Sequence, residues 1–108
     1  MPSDPSRLED VRRLVGESRY RLTLHAENER DQDRLLMREV EEALCSPRTE
    51  IIEDYLNDPR GPSFLLLGFT GQGLPIHAVC TITDVLLVIT LYRPDPGRWI
   101  EWRKRREG

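Results

Sequence analysis

Three apolar runs, "FLLLGFT", "LPIHAVCTIT" and "DVLLVITLY", follow one another between Phe64 and Tyr92 with almost no chain between them. That crowding constrains the fold more than any other feature. "GQG" links the first two runs, and Asp84 is the only turn residue between the last two. Connectors this short cannot carry a parallel crossover, so the strands are predicted to pair antiparallel as a meander. "TEIIEDYL" reads as a further strand, set off by the loop "NDPRGPS" with its two prolines and glycine. "RPDPG" then leaves the sheet, because proline removes ladder donors. None of the runs approaches the roughly 20 apolar residues a membrane span needs.

The first half of the chain has a different period. "SDPSRLEDVRRLVGES" reads as a helix with Ser3 or Asp4 as its cap and Pro5 in its first turn. Leu8, Val11, Leu14 and Val15 form its apolar stripe, and Gly16 and Ser18 stop it. "YRLTL" alternates, as a short strand does. "HAENERDQDRLLMREVEEALCSP" is helical by propensity, with apolar positions at Leu36, Met37, Val40, Ala43 and Leu44. The Asp31–Asp33 stretch is expected to break it in two, with Asp31 or Asp33 capping the second piece. The predicted architecture is α+β: N-terminal helices packed on one face of a four- or five-stranded, mostly antiparallel sheet. Residues 1–18 form a helical extension, 19–100 the domain, and 101–108 a basic C-terminal tail.

The formal net charge of −3 conceals a split. Between Glu27 and Asp58 eleven acids face four bases, a net of 4 − 11 = −7. Between Arg93 and Gly108 six bases face three acids, a net of 6 − 3 = +3. Either the basic end binds a polyanion or it lies against the acidic segment of its own or a neighbouring chain. Cys45 and Cys80, two and far apart, read as reduced structural thiols of a cytoplasmic protein. The N-terminus has no apolar core of the secretory kind. No Walker loop, metal-ligand cluster or G-x-S-x-G occurs, and "GFTGQG" lacks the helix a dinucleotide fingerprint requires.

The chemistry-bearing residues are few. His25 stands at a junction of strand and helix, where it can act as an acid–base group. His77 lies mid-strand, and alternation puts it opposite Ile76, Ala78 and Cys80. If the helices cover that apolar face, His77 lies on the open one. Tyr92 and Arg93 end a strand, a place from which they can hold a scissile phosphate. Trp99 and Trp102, three apart, would share a face in a helical turn and anchor on the domain or stack bases.

"LHAENE", "EEAL" followed by "IIEDY", "DPRGPSFLLLGFT", "LPIHAVC" and "VITLYRPDPGRW", the last three in matching order and spacing, resemble the bacterial domain-of-unknown-function family 4258, over about Tyr20 to Arg106. That family resembles the RelE-like group of small ribonuclease toxins, which includes RelE, BrnT and MqsR. The resemblance implies a RelE-like α+β fold and RNA cleavage without metal or cofactor, by one half of a type II toxin–antitoxin pair. On that basis His25, His77 and Tyr92 are the candidate catalytic residues. Arg30, Arg93, Arg98 and Trp99 are the candidate RNA contacts, and a cognate antitoxin is the expected protein partner. Glu29 and Arg30 stand where many members carry Arg and Met, and Leu74 stands where many carry Arg. Both changes remove positive charge. The competing expectation is therefore a degenerate, non-enzymatic module that binds a protein or forms a homodimer, and a pI near 5.4 favours it.

Overall fold

The computed structural model describes residues 5–59 and 61–107. Helix α1 spans Pro5–Gly16, β1 Tyr20–Leu22, α2 Leu24–Gln32 and α3 Met37–Cys45. Strands β2 (Glu50–Tyr55), β3 (Ser63–Phe69), β4 (Pro75–Ile82) and β5 (Leu86–Tyr92) follow, then the two-residue strands β6 (Trp99–Ile100) and β7 (Lys104–Arg105). The cap expected at Ser3 or Asp4 lies outside the described residues.

β2 to β5 form the antiparallel meander that the short connectors demand. β1 adds one parallel strand beside β5, so the sheet order is β1-β5-β4-β3-β2. Period-2 alternation sends Phe64 and Leu66 of β3, Ile76, Ala78 and Cys80 of β4, and Leu86 and Val88 of β5 to one face. There they meet Val11 and Leu14 of α1 and Val40, Ala43 and Leu44 of α3. Helix α1 is thus part of the core rather than an appendage: Val11 has no exposed surface. Cys45 and Cys80 are free thiols, and Cys80 is buried among these apolar groups. No helix among the described residues is long and apolar enough to cross a membrane.

The break between α2 and α3 falls where expected, but its capping differs. Leu36 is the N-cap of α3, and its N–H donates to the Glu39 carboxylate at 2.9 Å. Asp33 instead sits at the C-terminal end of α2. From there it serves the sheet. β1 ends at Leu22, which would leave the outer backbone groups of β5 unpaired. Side chains at and after the start of α2 take over. The Thr23 hydroxyl donates to the Ile89 carbonyl at 2.9 Å, Glu29 accepts from the Leu91 N–H at 2.9 Å, and Asp33 accepts from the Arg93 N–H at 2.8 Å. Glu29 is therefore occupied in continuing the ladder.

Gly68 lets α3 lie directly on β3. A Cβ at this position would stand 2.1 Å from the Ala43 carbonyl oxygen, against backbone that cannot swing away. Gly68→Ala is expected to cost at least the ~1–3 kcal/mol typical of overpacking. Equilibrium urea unfolding followed by far-UV circular dichroism measures it.

Candidate functional site

The second face of the sheet is also covered. The register aligns Leu67 with His77 and His77 with Tyr92, in one row across three strands. Over this row lies the hairpin β6–β7. The expectation of an open face fails because residues 98–106 fold back onto it. The segment set apart as a basic tail, 101–108, supplies half of that hairpin.

The chain reverses at Glu101 and Trp102, with φ of 50° and 67°, closed by an Arg103 N–H donating to the Ile100 carbonyl at 3.0 Å. Two consecutive positive φ values are the signature of a type I′ hairpin turn, normally built from Asn and Gly. Trp99 and Trp102 accordingly do not stack along a helical turn. Trp99 is buried, edge-on to the His77 ring with centroids 4.4 Å apart, and Trp102 is half-buried.

Acids of β2 hold the hairpin down. Arg103 reaches Glu50 at 2.6 Å. Arg105 donates to both oxygens of Glu53, at 2.9 and 3.0 Å, and its guanidinium lies 4.7 Å over the Trp99 ring. Tyr55 donates its hydroxyl to Glu53 as well. Burial alone would raise the Glu53 pKa, but the hydrogen bonds from Arg105 and Tyr55 bring it below the usual carboxylate value. Asp54, on the other face, pairs with Arg7 of α1.

Under the hairpin the His77 ring has no exposed surface. Its Nε2 lies 2.7 Å from the Trp102 carbonyl oxygen. A carbonyl only accepts, so Nε2 carries the proton. In the neutral ring Nδ1 is then an acceptor, 3.1 Å from the Tyr92 hydroxyl that donates to it. Burial lowers the His77 pKa. The Trp102 carbonyl and the Glu53 charge oppose that shift, and Arg105 adds to it. Burial pushes Tyr92 up to about 12, with Arg105 pulling the other way. Both groups are neutral near pH 7 and share one proton-donating contact.

Beside the hairpin opens a cleft of about 790 Å³, lined by Tyr92, Arg93, Asp95, Gly97, Arg98, Trp99, Arg105, Arg106 and Glu107. Four of the five predicted residues at this end of the chain, Tyr92, Arg93, Arg98 and Trp99, line it, and the fifth, His77, lies behind Tyr92 and Trp99. Arg98 is exposed and its side chain has no partner among the described residues. Arg93 is partly engaged, with its Nε 3.2 Å from the Asp33 carbonyl and a terminal nitrogen 3.9 Å from Glu39. Trp99 lies under Arg105 and offers no free ring face for stacking.

His25 and Arg30 do not line the cleft. His25 is exposed on α2 and pairs with Glu29 at 3.2 Å. Arg30 is bound to Glu27 at 3.1 Å and to the Leu35 carbonyl at 3.0 Å. Sequence reasoning gave Tyr55 and Arg105 no role of their own and took Glu53 only as part of a strand. Their signal is the alternation in "IIEDYL", which puts Glu53 and Tyr55 on one face, opposite in charge to "RKRR". Among the described residues no cluster of His, Cys, Asp and Glu is arranged to hold a metal ion.

A family model described as a domain of unknown function (DUF4258) covers residues 22–93, 72 of the 108. It includes His25, Arg30, His77, Tyr92 and Arg93 and stops short of Arg98, Trp99 and the hairpin. No curated protein and no solved structure matches the chain.

The His77 environment has a pH signature. Its pKa in the fold is below the reference 6.5, so on acidification the unfolded chain takes up the proton first. The associated stability is full above about pH 6.5 and drains as pH falls from there towards the folded value. Urea midpoints measured downward from neutral pH are expected to fall through this window in the wild type. His77→Gln, less stable throughout, is expected to be flatter over the same window.

Proposed function

The chain belongs to the family described as a domain of unknown function (DUF4258), and from that premise we propose that it binds single-stranded RNA in the C-terminal cleft and cleaves it without a metal. On this reading it is the toxin of a bacterial toxin–antitoxin pair, acting in the cytoplasm and restrained by a cognate antitoxin. One observation carries the proposal: an open cleft presents Arg93 and Arg98 beside a tyrosine whose hydroxyl is backed by a neutral, buried histidine. The resemblance of the motifs to RelE-like toxins supports it.

The chemistry follows from the positions. Guanidinium groups hold a phosphate and offset charge that develops on it. A flexible single strand can bring its 2′-oxygen in line with the phosphorus, which then bonds to that oxygen as the bond to the 5′-oxygen breaks. The 2′-hydroxyl proton passes to the Tyr92 oxygen while the Tyr92 proton passes to Nδ1 of His77. The leaving 5′-oxygen takes its proton from solvent. The products are a 2′,3′-cyclic phosphate and a 5′-hydroxyl. His77, neutral because it is buried, is free to accept the proton, and the Trp102 carbonyl and Glu53 favour the imidazolium that results.

A second reading has its own observation. The fully enclosed His77, bonded at both nitrogens, also suits a structural group. The chain would then be a binding module without activity.

Incubation with an oligoribonucleotide in the presence of a chelator separates the two. Cleavage to a cyclic phosphate is expected, with Tyr92→Phe slower by about 100-fold or more, the usual value of one acid–base group. Arg98→Ala is expected to weaken binding and to reduce the salt dependence by about one phosphate contact. Binding without cleavage favours the module. Neither binding nor cleavage at low salt sinks the RNA reading.

A further inference from the structure

We infer that Glu53 is a positioning residue of this site: acting through Arg105, it presses the Trp102 carbonyl onto Nε2 of His77 and so decides which ring nitrogen faces Tyr92. The inference deepens the RNA-cleavage reading, and its consequence for activity rests on that reading.

The hairpin cannot hold its own position. Its strands are two residues long, and β7 is exposed along its length. An isolated two-stranded ribbon is marginal even when longer. Its turn places Glu101 and Trp102 in a left-handed backbone region that costs non-glycine residues free energy. External anchors must therefore supply the docking. Trp99 provides the apolar one, and the ion pairs to β2 provide the rest.

Of the two ion pairs the one at Glu53 is better made. Its carboxylate is 22 % exposed, against 35 % for Glu50, and both its oxygens meet the same guanidinium. A two-pronged arginine contact fixes direction as well as distance. Tyr55 donates to the same carboxylate, at the oxygen that also receives Arg105. Arg105 in turn lies over Trp99, whose edge meets the imidazole. The line from Glu53 through Arg105 and Trp99 thus ends on the ring that Trp102 caps.

That cap has a chemical consequence. The bond at one ring nitrogen sets the proton at the other. With the Trp102 carbonyl on Nε2, Nδ1 is the acceptor and the Tyr92 hydroxyl has somewhere to send its proton. With the hairpin loosened, nothing ties the proton to Nε2, and Nδ1 is protonated in part of the molecules. The charged and titratable groups around the ring are Glu53 and Tyr55 of β2, Tyr92 of β5 and Arg105 of β7. Loss of the Glu53 charge leaves Arg105 uncompensated beside the ring and disfavours the imidazolium.

The test compares full-length wild type with Glu53→Gln by two readouts. Nitrogen-15 shifts of the His77 ring and exchange of its Nε2 proton report the tautomer. The pH profile of oligoribonucleotide cleavage reports the base. Wild type is expected to show one tautomer with a slowly exchanging Nε2 proton. Glu53→Gln is expected to show averaged tautomers and faster exchange. Its cleavage should fall by less than the ~10²- to 10⁴-fold of removing a direct acid–base group, with the acid limb moved to lower pH. A single Nε2–H tautomer in Glu53→Gln overturns the inference, and so does a loss of activity with the acid limb unmoved. Should the variant not fold, salt is applied to wild type: exchange of the Nε2 proton that quickens as the partly exposed ion pair is screened supports the role, and unchanged exchange overturns it. Absence of cleavage by wild type overturns the proposed function, while the ring-nitrogen comparison still decides the role of Glu53.

Discussion

The hydrogen bond from Nε2 of His77 to the Trp102 carbonyl ties a central strand to the last turn of the chain, and much of the second face is arranged so that this bond can form. A histidine with no exposed surface needs partners for both ring nitrogens, because each unmade bond costs about 1–3 kcal/mol. Tyr92, the last residue of β5, supplies one of them. The other comes from a backbone carbonyl 25 residues later in the chain, and reaching it requires the hairpin, its strained turn and its anchors on β2. The acidic middle of the sequence and its basic end meet in this way: Glu50 and Glu53 receive Arg103 and Arg105.

The two faces of the sheet are consequently built on different terms. On the helix side, apolar contact and a glycine that admits the α3 backbone do the work. On the hairpin side, the row of Leu67, His77 and Tyr92 lies under an aromatic ring and a cluster of charge-assisted hydrogen bonds. Such a layer responds to pH and salt, as an apolar one does not. The cleft stands at the border of this responsive layer, and Arg105 belongs to both.

The meander, the helices and the break between α2 and α3 were legible because hydrophobic period and connector length are local properties. Alternation also placed His77 correctly opposite Ile76, Ala78 and Cys80. That the basic end lies against the acidic segment was one of two readings of the charge split, but the hairpin that covers His77 was not legible. A type I′ turn announces itself by Asn and Gly, and Glu101–Trp102 carries neither. The ends of β5 were hidden for a related reason: Thr23, Glu29 and Asp33 continue a strand ladder from a helix and the residue before it, and no period reports that. Of the candidate site, Tyr92, Arg93, Arg98 and Trp99 were found as a group because the chain itself holds them close. His25 was read from its place between strand and helix and again from the resemblance, Arg30 on the basis of the resemblance alone, and both are spent on contacts of α2.

The claim on which everything else rests is that residues 98–106 are a folded layer of the domain. Trp99 is its one buried apolar anchor, 4 % exposed. Equilibrium unfolding of Trp99→Ala beside wild type tests it most directly. A loss of about 3–5 kcal/mol is expected, the cost of deleting a buried aromatic. A change within about 0.5 kcal/mol, as for a surface side chain, would contradict it.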